Sequence, residues 1–218
     1  MVVAFDSDRF EDRIDAGEQL ATFLVERNVE VDIVLAIPRG GLPLGRIVAD
    51  TLGVPLDIVV SSKIGAPNNP ELAIGAVASD GTVWIDEDAV QFLGIAESYI
   101  EQERSKEATI ARDKAAAYRT DGTVPEVTDL NVLIVDDGVA TGSTATAAIR
   151  LLRERGARLV MLAIPVGPPD TIAQLEREAD DVFCLRMPPA FGAVGQYYSR
   201  FDQVSDEEAI SILQCGET

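Results

Sequence analysis

The densest group of chemically capable side chains lies in the run VLIVDDGVATGST, from Val132 to Thr144. An apolar stretch ends there in two adjacent carboxylates, Asp136 and Asp137, and then passes through a loop of glycine and hydroxyl residues into a helical pattern. At the carboxyl end of a buried parallel strand such a loop is a natural ligand seat. Its free amides, joined by the hydroxyls of Thr141, Ser143 and Thr144, suit a phosphate dianion. Asp136 and Asp137 repel that phosphate, so their partners are neutral hydroxyls, such as those of a ribose, or a metal ion. The loop is not a Walker A, which requires a lysine beside its last hydroxyl residue. A second run, IPRGGLPLG from Ile37 to Gly45, sets the charged fork of Arg39 next to Gly40 and Gly41. Glycines at such a position let backbone amides approach a diphosphate closely.

What the chain lacks narrows the chemistry further. Among its 218 residues there is no histidine, which excludes Ser-His-Asp triads, Cys-His dyads and His-ligated metals. Acids outnumber bases 37 to 18, for a net charge of −19, which argues against binding to nucleic acid or an anionic membrane. Only three of the 18 bases are lysines, Lys63, Lys106 and Lys114, and this acidic, lysine-poor composition suggests adaptation to high salt. Cys184 and Cys215 are too few and too far apart for a disulfide framework or a zinc site, and both are expected to be reduced thiols. No apolar run reaches the ~18 residues of a membrane span. The opening segment MVVAFDSDRF has no basic region or long apolar stretch, so a cytoplasmic protein is expected.

The elements that must position these residues follow from the apolar pattern. Val31 to Ile37, Leu56 to Ile64, Val132 to Val135 and Leu159 to Val166 read as strands buried on both faces. Between them, Leu44, Val48 and Leu52 share one helix face that ends at Gly53, and Ala145, Ala148, Ile149 and Leu152 mark another that ends at Gly156. Strands alternating with helices imply an α/β fold with a mainly parallel sheet. LAIGAVA and TVWID, joined through Asp80-Gly81, read as a hairpin preceded by the loop GAPNNPE. A polar helix follows from Ala96 to Arg119, with Ile100, Ala108, Ala111, Ala115 and Tyr118 as its thin apolar face. Arg104, Lys106 and Arg112 are read as a solvated part of that helix. Asp170 to Glu178 reads as a helix, Val182 to Leu185 as a strand, and Asp206 to Leu213 as a closing helix capped by Ser205. The whole is one domain.

The run from Asp136 to Thr144 resembles the phosphoribosyl pyrophosphate (PRPP) signature of the type I phosphoribosyltransferases, and Ile37 to Gly45 resembles the pyrophosphate loop of the same family. The resemblance covers about Val31 to Phe201. It implies a core of about 31–186, a lid of about 63–119 that keeps water from the reacting centre, and a C-terminal hood of about 187–204. Asp136 and Asp137 would hold the ribose hydroxyls, and through PRPP would reach a metal indirectly. Gly138, Val139, Ala140, Thr141, Gly142, Ser143 and Thr144 would bind the 5′-phosphate. Arg39, with Gly40 and Gly41, would take the pyrophosphate, and Lys63 could join it. Phe191 and Tyr197, with Tyr198, could stack on a heterocycle in the hood.

The implied activity is an Mg²⁺-dependent pentosyl transfer from PRPP to a nitrogenous base, with release of pyrophosphate, in a homodimer acting on small molecules. A PRPP- or nucleotide-sensing module of the same fold is the alternative. Two departures stand out. Gly138 occupies a position where the family usually has an aliphatic residue, so this part of the loop is expected to be looser. Ala140 stands where the 6-oxopurine enzymes commonly have an aspartate, so hypoxanthine, guanine and xanthine are not the expected acceptors. The family also leads us to expect an unusual backbone at Arg39–Gly40.

Overall fold

The computed structural model describes residues 9–118 and 124–215. Its first element was not legible in our reading of the sequence. Asp12 caps a helix, α1 (Arg13–Glu26), by accepting the amides of Ile14 and Asp15, and Ala16, Leu20 and Leu24 recur along its buried face. β1 (Ile33–Ala36) leads into α2 (Gly41–Leu52), which stops at left-handed Gly53, and β2 (Leu56–Ile58) follows. Further along the chain come β3 (Ser61–Ala66), β4 (Asn69–Ala78), β5 (Val83–Ile85), α3 (Glu87–Leu93) and α4 (Glu97–Tyr118). The fold closes with β6 (Asn131–Val135), α5 (Ser143–Glu154), β7 (Leu159–Val166), α6 (Pro169–Leu175), β8 (Asp181–Arg186), a 3₁₀ turn (Val194–Tyr197) and α7 (Asp206–Gln214).

Five strands form one parallel sheet in the order β2-β1-β6-β7-β8. Alternate strand residues feed two cores, as the two-residue period demands. Ile33, Leu35, Val132, Ile134, Val160 and Leu162 pack with Ala145, Ile149 and Leu152 of α5 and with Ile172 and Leu175 of α6. The opposite set, Val34, Leu133, Val135, Met161 and Ala163, packs with Leu20 and Leu24 of α1 and with Leu44 and Val48 of α2. The α/β class expected from the sequence is what the chain adopts, and both faces of the sheet are covered.

Two elements depart from expectation. Leu56 to Ile64, read as one strand, is divided: β2 pairs with β1, whereas β3 opens a separate antiparallel sheet in the order β3-β4-β5. The break at Val59–Val60 sends these side chains into two different cores, with Val59 beside Ile37 and Val60 beside Leu42. GAPNNPE is not a long loop, because Ala66 pairs with Asn69 across a tight turn after register shifts on both sides of Gly65. The hairpin at Asp80-Gly81 forms as expected, with Gly81 at φ +90°. Of the long helix, Arg119 lies outside the described residues. α6 ends at Leu175, shorter than expected, and the closing helix carries its Ser205 cap.

Candidate functional site

β6 delivers Asp136 and Asp137 to the carboxyl edge of the sheet, where both are half-buried. The Asp137 amide donates to Asp136 Oδ1 at 2.8 Å. Burial, reinforced by the neighbouring Asp137 carboxylate, pushes the Asp136 carboxyl well above the ordinary aspartate range. Asp137 is raised by burial too, but the guanidinium of Arg13 opposes that shift. Arg13 Nε donates to Asp137 Oδ2 at 2.8 Å, and a second guanidinium nitrogen lies 2.8 Å from the same oxygen. These side chains are only 12% and 13% exposed, so the pair is poorly screened. The same guanidinium donates to the Asp202 carbonyl at 2.5 Å and lies 3.9 Å from the centre of the Phe201 ring. Tyr198 adds a third tie, its hydroxyl donating to the Asp137 carbonyl at 2.6 Å.

The loop after the acids is anchored from behind. Val139 turns its side chain into the core and its amide donates to the Val166 carbonyl at 3.0 Å, while Thr171 donates to the Ala140 carbonyl at 2.8 Å. Gly138 is tightly held rather than loose. It sits at φ +150°, and a Cβ there would meet Val194 at 2.7 Å and Val166 at 3.0 Å, which is why no aliphatic residue can stand here. Left-handed Gly142 opens α5 without side-chain capping, leaving Ser143 and Thr144 at a helix start suited to an anion. The hydroxyls of Thr141 and Ser143 lie 3.1 Å apart.

Facing this loop is the turn after β1. The non-proline cis bond occurs at Pro38–Arg39, one residue before the expected position, and Gly40 has an ordinary right-handed conformation. Gly40 is instead required by contact, because a Cβ there would fall 2.0 Å from Asp137 Oδ2. Arg39 is 3.1 Å from Asp206 at the start of α7.

Two adjoining cavities meet at this turn. One, of about 460 Å³, is lined by Arg13, Arg39, Gly40, Asp136, Asp137 and Thr144 and on its far side by Val194, Phe201, Gln203 and Val204. The other, of about 990 Å³, shares Ile37, Pro38, Arg39 and Thr144 with the first and extends past Lys63 to α4. The structure thus brings together the acidic pair, the turn after β1, Thr144 and Lys63. Phe191 and Tyr197 line neither cavity. Their rings stack on each other at 5.4 Å, Tyr197 donates to the Ala190 carbonyl, and both pack against the α1 side of the core. The aromatic wall beside the acids is Phe201. Sequence reasoning missed Arg13 as well: the Asp12 cap and the four-residue spacing of Ala16, Leu20 and Leu24 could have revealed its helix, but not its approach to a residue 124 positions away.

A parallel sheet with a paired-acid, glycine-hydroxyl loop at its carboxyl edge defines an α/β protein with a candidate ligand seat at that edge. Residues 6–201 match the family of the phosphoribosyl transferase domain, and the chain belongs to that family. It is 38% identical to TT1426 from Thermus thermophilus, whose crystal structure it matches with a TM-score of 0.88 over 94% of this chain and 97% of that one. A Mycobacterium tuberculosis protein provisionally named a phosphoribosyl transferase is 40% identical over 204 residues, covering 94% of this chain and 46% of the relative. The chain therefore spans about half the length of that relative. Adenine phosphoribosyltransferase from Chelativorans sp. shares 48% identity over 56 residues, 25% of this chain and 31% of the relative. No helix among the described residues is long and apolar enough to cross a membrane.

Proposed function

We propose that this protein transfers ribose 5-phosphate from PRPP to a nitrogen of a small acceptor and releases pyrophosphate. The observation that carries the reading is the meeting of Asp136, Asp137, Thr144 and Arg39 around one cavity beside an uncapped helix start. The amides and hydroxyls from Gly138 to Thr144 take the 5′-phosphate, as a helix start does. Asp136 and Asp137 accept hydrogen bonds from the ribose hydroxyls, and Arg13 fixes the second acid in place. Arg39, joined by Lys63, faces the charge that grows on the departing diphosphate. The small sheet of β3 to β5 and α4 is the lid that limits access of water. No protein nucleophile is required, consistent with a chain that has no histidine.

Among the described residues no three carboxylate, thiol or imidazole side chains form a metal site by themselves. The donor set fits a magnesium ion carried in by the diphosphate, with Asp136 and Asp137 reaching it through PRPP. Such an ion would supply positive charge to the leaving group.

Ala140 has no titratable group, so the acceptor is not a 6-oxopurine that depends on an acid at this position. Pyrophosphate release should be followed with PRPP, Mg²⁺ and a panel of bases in molar KCl. At least one base other than hypoxanthine, guanine and xanthine is expected to turn over, and Asp137→Asn to weaken PRPP binding about tenfold or more. Efficient guanine or hypoxanthine turnover would overturn the acceptor assignment. PRPP binding without release by any base would favour a sensor instead.

A further inference from the structure

Both arginines of the site are held by one short stretch of chain, residues 202–206. The Asp202 carbonyl accepts from Arg13, and Arg39 Nη1 donates to Asp206 Oδ1 at 3.1 Å. This stretch lies beyond residues 6–201, the part that matches the family. Gln203 and Val204 nevertheless line the smaller cavity, and Asp206 lines the larger one. Arg39 faces both.

The backbone that carries Asp206 is fixed. Asp206 is the first residue of α7, where a carboxylate is favoured by the helix start, and Ser205 caps that turn by accepting the Glu208 amide at 3.1 Å. Val204 and Ala209, on either side of the acid, are buried in one cluster with Leu42 of α2 and Ala115 of α4. Tyr118, the last residue of α4, meets the same carboxylate. Burial and then Asp206 push the Tyr118 hydroxyl above the ordinary tyrosine range, and nearby Arg39 opposes the shift. One acid thus joins the turn after β1 to the ends of α4 and α7.

Arg39 needs such an anchor. Its long side chain is 30% exposed on a turn, and a guanidinium left to rotate loses freedom each time it captures an anion. The single contact through Nη1 restrains the fork and leaves its other donors open to the cavities. Asp206 is 58% exposed, so solvent and salt screen its repulsion of an anion, whereas the directional hold on Arg39 remains. We propose that Asp206 is a positioning residue for the phosphoribosyl transfer, aiming Arg39 at the departing diphosphate in advance. It acts through Arg39 rather than on the substrate. This role rests on the phosphoribosyl reading and adds to it a residue from the C-terminal helix.

The test titrates magnesium pyrophosphate, PRPP and ribose 5-phosphate calorimetrically into the full chain. Asp206→Ala is expected to weaken pyrophosphate and PRPP about tenfold and to leave ribose 5-phosphate, which has no diphosphate, within about twofold. Asp206→Glu should recover most of the loss. Asp206→Asn keeps an acceptor for Arg39 without the charge, so it should lose less than the alanine variant, and it carries the same comparison if that variant does not fold. In an Arg39→Met background Asp206→Ala should have no further effect, the coupling expected of a residue that works through its partner. Tighter pyrophosphate binding by Asp206→Ala would make the acid a competitor for Arg39 and overturn the proposal. An equal loss of ribose 5-phosphate, or a loss that adds to that of Arg39→Met, would overturn it too. Unchanged pyrophosphate affinity in Asp206→Ala beside a clear loss in Arg39→Met would remove the role of Asp206 and keep the phosphoribosyl reading. A wild-type chain that binds none of the three ligands would remove that reading, and this role with it.

Discussion

Asp136 costs the fold stability at neutral pH. Its carboxyl is raised by burial and by the adjacent Asp137, so ionising it is harder in the folded state than in the unfolded chain. Stability linked to this group is greatest below the ordinary aspartate pKa of about 4 and declines as pH rises through the higher folded value. Asp136→Asn keeps the acceptor for the Asp137 amide and removes the charge. A gain of ~1 kcal/mol would raise the melting temperature by about 2–4 °C at pH 7 in a protein of this size, with loss of PRPP affinity in the same variant. Arg13 has the opposite role, since it supplies the cation that offsets Asp137 and also holds Asp202 and Phe201. Arg13→Met is expected to cost about 1–3 kcal/mol in chemical denaturation near pH 7. The loss should shrink as pH falls and Asp137 becomes protonated, and an unchanged stability at pH 7 would show that the clamp is idle.

Between elements, the small sheet is tied to α5, the helix that begins after Gly142. Arg150 of α5 pairs with Glu178, lies within 4.0 Å of Asp86, and stacks 3.9 Å over the Trp84 ring of β5. Arg155 reaches Asp80 in the β4–β5 turn at 3.1 Å. These contacts fix the outer edge of the small sheet to the core, whereas α4 has the cavity beneath it. Arg150→Ala is expected to speed hydrogen exchange of β4 and β5 amides about tenfold and to leave β6 unchanged. Uniform acceleration across both sheets would mean that Arg150 supports the core rather than the small sheet. Most of these elements were legible beforehand because their apolar periods are local. The division of Leu56 to Ile64 was not, since a continuous apolar run gives no sign of which sheet each half will join.

At the scale of the whole molecule the surplus of 37 acids over 18 bases acts through mutual repulsion. Screening shortens its range, with a Debye length near 10 Å at 0.1 M salt and about 3 Å at 1 M. The melting temperature is therefore expected to rise by at least about 4 °C between 0.1 M and 2 M KCl, a gain of ~1 kcal/mol or more. A flat or falling curve would mark an acidic protein with no adaptation to salt.

The sequence by itself determined the parallel α/β class, the loop at the end of β6 and the turn after β1, because each is written in contiguous residues whose spacing dictates local backbone. It also excluded imidazole chemistry outright, since composition needs no fold to be read. Tertiary structure alone decided that Arg13 clamps Asp137 and that Gly40 must yield space to the same carboxylate. It also decided that Phe201, rather than the Phe191–Tyr197 pair, faces the acids, and that three scattered lysines share one cavity. These are contacts between segments distant in the chain, set by how helices and sheets pack, and no local periodicity encodes them.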